Sequence, residues 1–363
     1  MKFIFDINHS NSCNFRCKYC DIPFKNTVIG NSTLDQIITL VKQCLNDKHF
    51  SARYDSFQIS FFGGEPTLNL EGMQYITSAL QDYPVTYFLY TNGYKFKPEM
   101  WQFLESFKNN RRFDTQISYD GLASHNVDRV TKGGKQTALE VKKTIYEAHR
   151  RGIKFSIHPT IAAKNFNCLY ENYLEFKRMR EFGIDCMYNP TVDYLSKFEF
   201  TEPELSSIKE TLKLQFMQIL PVTEEFRKQF GYYDFGWFNY QKAICSAGNG
   251  YFGIDIDGTI LPCHGNFTSS KKQELTVGNV RNATPDVLLQ ESEKYSRLLE
   301  FKPKECLNCY THLCWKCNAA KYELSKEPTM GWVDYTNQPG LCEIFKYIGR
   351  FMIAVNATSD TIV

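Results

Sequence analysis

The chain has 363 residues, 43% of them hydrophobic and 23% charged, with a formal net charge of +2. That length allows one large domain and a smaller one, and the near-neutral balance gives no electrostatic case for nucleic-acid or membrane-surface partners. No apolar run reaches the roughly 18 residues of a membrane span, and the start, MKFIFDINHS, lacks the apolar segment and cleavage site of a signal peptide. The expected compartment is the cytosol, where a count of 13 cysteines argues for metal or redox chemistry over disulfides.

In chain order, KFIFDIN (2–8) reads as a strand, and SCNFRCKYC (12–20) follows it with Cys13, Cys17 and Cys20 at C-x3-C-x2-C spacing. Three soft thiolates suit an iron–sulfur cluster. In a four-iron cubane, three cysteines leave one iron open, as the vacant position of a catalytic zinc site does. STLDQIITLVKQCL (32–45) has the helical spacing Leu34, Ile37, Ile38, Val41, Leu45 behind a Ser32 or Thr33 cap. FQISFF (57–62), VTYFLY (85–90), FDTQISYD (113–120), IKFSIHP (153–159) and GIDCMYNP (183–190) read as further strands, and helices are expected near 70–82, 97–108, 137–150, 167–182 and 203–219. The alternation predicts an α/β fold, a parallel sheet covered by helices in a partial (β/α)6 TIM-like barrel. Ligand chemistry in such sheets sits at the carboxyl ends of the strands.

Short motifs stand at those ends. FFGGEP (61–66) carries Gly63 and Gly64, which permit close backbone approach, and Glu65, which can accept from a ligand ammonium. YTNG (90–93), SYDG (118–121), HNVDR (125–129) and HPTIAAKN (158–165) follow. Each is weak alone; their succession at strand ends is what carries weight. Cys44, Cys168 and Cys186 are isolated and read as buried core thiols. FRKQFGYYDFGWFNY (226–240), with eight aromatics in fifteen residues, reads as packing between two domains, with a substrate wall as the alternative.

The second half holds Cys245, then Gly258 and Cys263, then Cys306-x2-Cys309-x4-Cys314-x2-Cys317, and finally Cys342. A zinc module is the plain reading of C-x2-C pairs. The tight spacing of the two pairs and the odd total of seven cysteines in this region weaken it.

With Cys13, Cys17 and Cys20, Tyr19 before the last of them, Gly63-Gly64-Glu65-Pro66, Thr91-Asn92-Gly93 and Ser118 with Asp120-Gly121, the chain resembles a radical S-adenosylmethionine enzyme. The resemblance implies that S-adenosylmethionine chelates the unique iron of a 4Fe–4S cluster. Glu65 and the glycine backbone would hold its amine, Tyr19 would lie beside its adenine, and Asn92 belongs to the same cofactor motif. Ser118 and Arg129 would contact ribose or carboxylate. It also implies reductive cleavage of the sulfonium and hydrogen abstraction by a 5′-deoxyadenosyl radical, with the protein supplying orientation and exclusion of water.

Residues 241–345 resemble the SPASM extension of radical enzymes that act on peptides, although the spacing is one residue shorter in each of the two later gaps of the family pattern. The implied wiring gives Cys306, Cys309, Cys314 and Cys342 to an outer auxiliary cluster, and Cys245, Cys263 and Cys317 to an inner one. Three 4Fe–4S clusters are therefore expected. The inner one is a ligand short: Tyr251 stands where some members carry an extra cysteine, and Cys186 is the spare thiol placed to reach it. The expected domains are a barrel over 1–219, an aromatic bridge over 220–240, the SPASM domain over 241–345 and a tail over 346–363.

The resemblance implies maturation of a ribosomally made peptide, with an oxidative crosslink such as an aromatic cyclophane or a thioether as the favoured outcome. Formylglycine formation of the anaerobic sulfatase-maturing type is the alternative, and there His264 stands where those enzymes place a catalytic Asp. A small-molecule radical dehydrogenase is a further alternative. The expected partners are a precursor peptide with a leader, a separate leader-binding protein (the first strand begins too early for a preceding recognition domain), and a flavodoxin or ferredoxin as electron donor. The acid–base residue is unassigned, with His264, His125 and Asp193 as candidates by position.

Overall fold

A computed structural model of the chain describes residues 1–20, 22–161, 163–192, 200–239, 246–300 and 339–359. Strands β1 (Lys2–Ser10), β2 (Ser56–Gly63), β3 (Val85–Thr91), β4 (Phe113–Ser118) and β5 (Phe155–His158) pair in parallel, in sequence order. Between them run α1 (Asn31–Asn46), α2 (Lys48–Arg53), α3 (Leu70–Ala79), α4 (Pro98–Ser106) and α5 (Ala138–Arg151).

The strands form because apolar residues recur with period two on the helix-covered side. Phe3, Phe5 and Ile7 of β1 and Phe57, Ile59 and Phe61 of β2 are all buried there. The alternate phase is polar or aromatic and faces the other side of the sheet: Asp6 and Asn8, Ser60 and Phe62, Tyr90, Gln116, Ser118 and His158. Register keeps this second set together, since Tyr90 lies opposite Gln116 and Ser118 opposite His158.

The expected sixth strand is reduced. Tyr188 makes only an isolated parallel bridge to Phe235, and the short β6 (Thr160–Ile161) pairs with β7 (Thr191–Val192) in a separate two-stranded sheet. After α6 (Leu169–Glu181), the helix expected near 203–219 is longer: α7 runs Glu202–Phe230, opened by a Thr201–Glu204 capping box and closed by Gly231 at φ +82°.

The aromatic stretch that follows is packing. Phe235, Trp237 and Phe238 are buried and stack around Phe216 of α7, and Phe351 of α9 (Pro339–Ser359) joins them. Buried Asp234 anchors this junction by accepting from Tyr173 Oη (2.8 Å) and Thr223 Oγ1 (2.5 Å) and pairing with Arg180.

One addition was not foreseen. Strand β8 (Tyr251–Ile254) joins the free edge of β1 in parallel, and β9 (Thr259–Leu261) and β10 (Gly278–Asn279) extend it antiparallel. The result is one eight-stranded sheet, ordered β10-β9-β8-β1-β2-β3-β4-β5, with α8 (Pro285–Glu300) following. No helix among the described residues is long and apolar enough to cross a membrane.

Gly253 permits the turn after β9 to fold back onto β8, because a Cβ there would lie 2.8 Å from both the Cys263 carbonyl carbon and the His264 nitrogen. Gly253→Val is therefore expected to cost about 1–3 kcal/mol through overpacking, read as a lowered thermal unfolding midpoint.

Candidate functional site

At the carboxyl ends of β1 to β5 lies a cavity of about 550 Å³. Cys13, Cys17 and Cys20 line it, with Tyr19 and Arg129. Gly63, Gly64, Asn92 and Ser118 line its middle, and Phe62, Tyr90 and His264 form a wall. The structure thus brings together the first three cysteines, six of the seven residues expected to bind the cofactor, and one of the three acid–base candidates.

The loop carrying the cysteines is stitched down on two sides. On one, Gly64 N–H donates to the Ser10 carbonyl (2.6 Å) and Glu65 N–H to the Ser12 carbonyl (2.8 Å). The glycines are required for this closeness: a Cβ on Gly63, at φ +126°, would meet Ser10 O at 2.4 Å, and one on Gly64 would meet Ser12 O at 2.5 Å. On the other side, Arg16 N–H donates to the Val130 carbonyl, Lys18 N–H to that of Asp128, and Lys132 N–H to that of Asn14. The Asn92 side-chain amide donates to Asn14 Oδ1 (2.7 Å) and lies 3.9 Å from Cys13 Sγ.

Glu65 sits behind the cavity and does not line it. Its carboxylate accepts from Thr67 N–H (3.2 Å), Thr67 Oγ1 (2.6 Å), Thr91 Oγ1 (2.7 Å) and Asn92 N–H (2.7 Å). It clamps the loop after β2 to the loop after β3. Burial pushes its pKa up, and these donors pull the other way.

The donor set tests whether a cluster fits. Burial pushes the Cys13 thiol up to about 12 and the Cys17 thiol up to about 11, with neighbouring thiols adding to the rise. Such sulfurs become thiolates at neutral pH only with a cation bound among them. Three cysteines on one short loop, with an amide donor beside Cys13, fit an iron–sulfur cluster. Next to them Tyr19 Oη donates to Asp120 Oδ2 (2.8 Å), Arg129 Nε lies 2.9 Å from the same oxygen, and the guanidinium lies 5.3 Å from the Tyr19 ring centre. Burial opposes the Arg129 charge, but Asp120, Tyr19 and Cys17 hold its pKa above the usual value. His158 on the adjoining wall is pushed down to about 4 by burial and by Arg129, so it is neutral at physiological pH.

Asp6, which was not foreseen, and Tyr251 stand against His264. Asp6, fully buried on β1, pairs with His264 Nδ1 at 2.5 Å, and the Tyr251 hydroxyl contacts both groups. The available signal was a lone carboxylate in the apolar run KFIFDIN, in the phase of the strand that faces the cavity side. Tyr251 is thereby committed to Asp6 and His264, and burial, Asp6 and Cys263 push its phenol far above the usual value.

The remaining candidates lie elsewhere. His125 borders a separate polar cavity of about 10 Å³, held by Glu171 (2.9 Å) and Asn172 (3.2 Å). Cys186 is in the core with its thiol toward the Phe176 carbonyl, and Cys44 and Cys168 are buried too. Cys342 is half-buried on α9. Asp193, Cys245, Cys306, Cys309, Cys314 and Cys317 lie outside the described residues.

Comparison with known proteins decides the family. The radical SAM superfamily description matches residues 7–171, and the SPASM iron–sulfur cluster-binding domain matches residues 245–318. Residues 7–171 are thus a radical SAM domain and residues 245–318 a SPASM domain. It is similar to anSMEcpe with bound AdoMet and Cp18Cys peptide, at 19% identity and a TM-score of 0.72 over 99% of this chain and 100% of that one. It is also similar to Streptococcus suis SuiB bound to precursor peptide SuiA, at 16% identity and a TM-score of 0.56 over 90% and 74%. An uncharacterised protein of Methanocaldococcus jannaschii is 25% identical over 231 residues, 60% of this chain and 67% of that protein. At such identities the two structures show the shared radical SAM fold.

The Glu65 clamp makes a graded prediction. Glu65→Gln turns an amide donor toward groups that are themselves donors and is expected to cost about 1–3 kcal/mol, whereas Thr67→Ala, which removes one donor, should cost about 0.5–1.5 kcal/mol. Thermal or denaturant unfolding of both variants checks the order.

Proposed function

We propose that this chain is a peptide-modifying radical SAM enzyme that completes an oxidative crosslink, a carbon–carbon cyclophane or a thioether, in a ribosomally made peptide. The observation that carries the reading is a cavity lined both by Cys13, Cys17 and Cys20 and by His264, which follows Cys263 in the SPASM region. A 4Fe–4S cluster held by Cys13, Cys17 and Cys20 with S-adenosylmethionine would supply hydrogen-atom abstraction from the substrate, and clusters held by the SPASM cysteines would supply an acceptor for the electron left behind.

Cys13, Cys17 and Cys20 are the proposed ligands of the first cluster. Tyr19, Gly63, Gly64, Asn92, Ser118 and Arg129 are the proposed contacts of S-adenosylmethionine, and Glu65 shapes that site from behind. The outer auxiliary cluster is assigned to Cys306, Cys309, Cys314 and Cys342, the inner to Cys245, Cys263 and Cys317, for three clusters in all. Tyr251, held by Asp6 and His264, is not assigned as the missing ligand. His264 is the acid–base group nearest the substrate space. An external flavodoxin or ferredoxin is the proposed electron donor.

The peptides in the anSMEcpe and SuiB structures support a peptide substrate. One observation favours a second reading, formylglycine formation: a carboxylate, Asp6, stands 2.5 Å from His264, at the position where sulfatase-maturing enzymes use an Asp.

The anaerobically reconstituted chain is expected to hold about 12 irons and to release 5′-deoxyadenosine from S-adenosylmethionine under strong reductant. Cys13→Ala should end that release; continued release would remove the cluster assignment. About eight irons would favour the small-molecule dehydrogenase class instead. With the peptide encoded beside the gene, mass spectrometry should show loss of two hydrogens per crosslink. Conversion of a Cys or Ser to formylglycine would replace the first reading with the second.

A further inference from the structure

One wall of the cavity is an aromatic slot built from two strand ends and the turn after β9. Phe62 from the end of β2 and Tyr90 from the end of β3 meet at 5.4 Å between ring centres, at 81°. The His264 ring lies over Phe62 at 4.2 Å, tilted by 30°, and 6.1 Å from Tyr90. All three border the cavity. Their faces offer flat contact area and a negative quadrupole, which suits an aromatic guest and disfavours a carboxylate.

The polar atoms of the slot are few and defined. Asp6, wholly buried, takes His264 Nδ1 together with the Tyr251 hydroxyl. With Nδ1 turned to the Asp6 carboxylate, Nε2 is the ring nitrogen left for a guest. That nitrogen has no partner among the described residues, and neither has the Tyr90 hydroxyl. Among the described residues no Asp or Glu borders the cavity, and the guanidinium that does, Arg129, stands beside Tyr19.

We propose that this slot receives the substrate side chain, and that the side chain is an aromatic ring bearing an O–H or N–H, a tyrosine phenol or a tryptophan indole, lying against Phe62 and Tyr90 and donating to His264 Nε2. The proposal rests on the peptide-modifying reading and gives it a substrate class. Asp6 is the positioning residue: it fixes the imidazole so that an acceptor faces the guest.

Binding tests it without turnover. The reconstituted chain with S-adenosylmethionine, unreduced, is titrated with N-acetyl amides of tyrosine, tryptophan, phenylalanine and leucine, and dissociation constants are read from the broadening of the probes' proton resonances on binding to the protein. The tyrosine and tryptophan amides are expected to bind about five- to tenfold more tightly than the phenylalanine amide, the worth of one hydrogen bond, and the leucine amide should bind more weakly still. His264→Phe keeps the aromatic wall and should make the tyrosine and phenylalanine amides equal. Tyr90→Leu should weaken all three aromatic amides together. Leucine amide binding as tightly as tyrosine amide, or a tyrosine-to-phenylalanine ratio unchanged in His264→Phe, would overturn the proposal. The wild-type ratios stand as the test even where His264→Phe fails to fold. If selectivity is absent while 5′-deoxyadenosine is still released, the slot alone is wrong; if no release occurs, the radical-enzyme reading itself fails.

Discussion

Strand β1 is paired on both edges, with β2 on one side and β8 on the other, both in parallel. Much of the site depends on that double pairing. It fixes the loop after Ser10, which carries the three cysteines, to the strand that ends in Gly63. It also brings the segment containing Tyr251, Cys263 and His264 against the same strand from the opposite edge. Asp6 lies between the two, opposite Ser60 of β2 and Gly253 of β8. A carboxylate with no water access is tolerable because donors from the second half of the chain reach it. The barrel and the SPASM segment therefore share a sheet and a buried polar cluster.

The cavity follows from the phase of the strands. On one side of the sheet, apolar residues meet helices; on the other, Phe62, Tyr90, Gln116, Ser118 and His158 arrive in register beside one another. The two ends differ in electrostatics. Arg129, Tyr19 and Asp120 interlock at the cysteine end, where a charged cofactor with amine and carboxylate groups would be held. The wall formed by Phe62, Tyr90 and His264 is aromatic. This polarity separates the proposed place of the cofactor from the proposed place of the substrate within about 550 Å³.

Much of this was legible in the chain. The first five strands and the helices after them follow from apolar periodicity, and the cysteine spacing with its strand-end glycines named the superfamily. The sixth unit was misjudged because GIDCMYNP is apolar and β-like, yet its backbone pairs mainly beyond Pro190, where Thr191–Val192 meets Thr160–Ile161. The end of α7 was placed early because Pro221 and the aromatics after it look like a break; the helix continues to Phe230. Glu65 was read as a ligand group because a carboxylate in a glycine-rich turn invites that reading. Its oxygens accept from Thr67, Thr91 and Asn92, partners that only the meeting of two loops supplies.

By itself the sequence determined the local chemistry: three thiols on one loop, glycines where backbone must approach backbone, and strands with one apolar face. Those depend on neighbours within a few residues, and short-range periodicity and spacing express them directly. Tertiary structure decided what is assembled across the chain. Asp6 and His264 are separated by 258 residues, and nothing in the spacing of either marks the other. Their meeting depends on the edge pairing of β1 with β8, which is set by long-range packing and by the room that Gly253 leaves for the turn at Cys263.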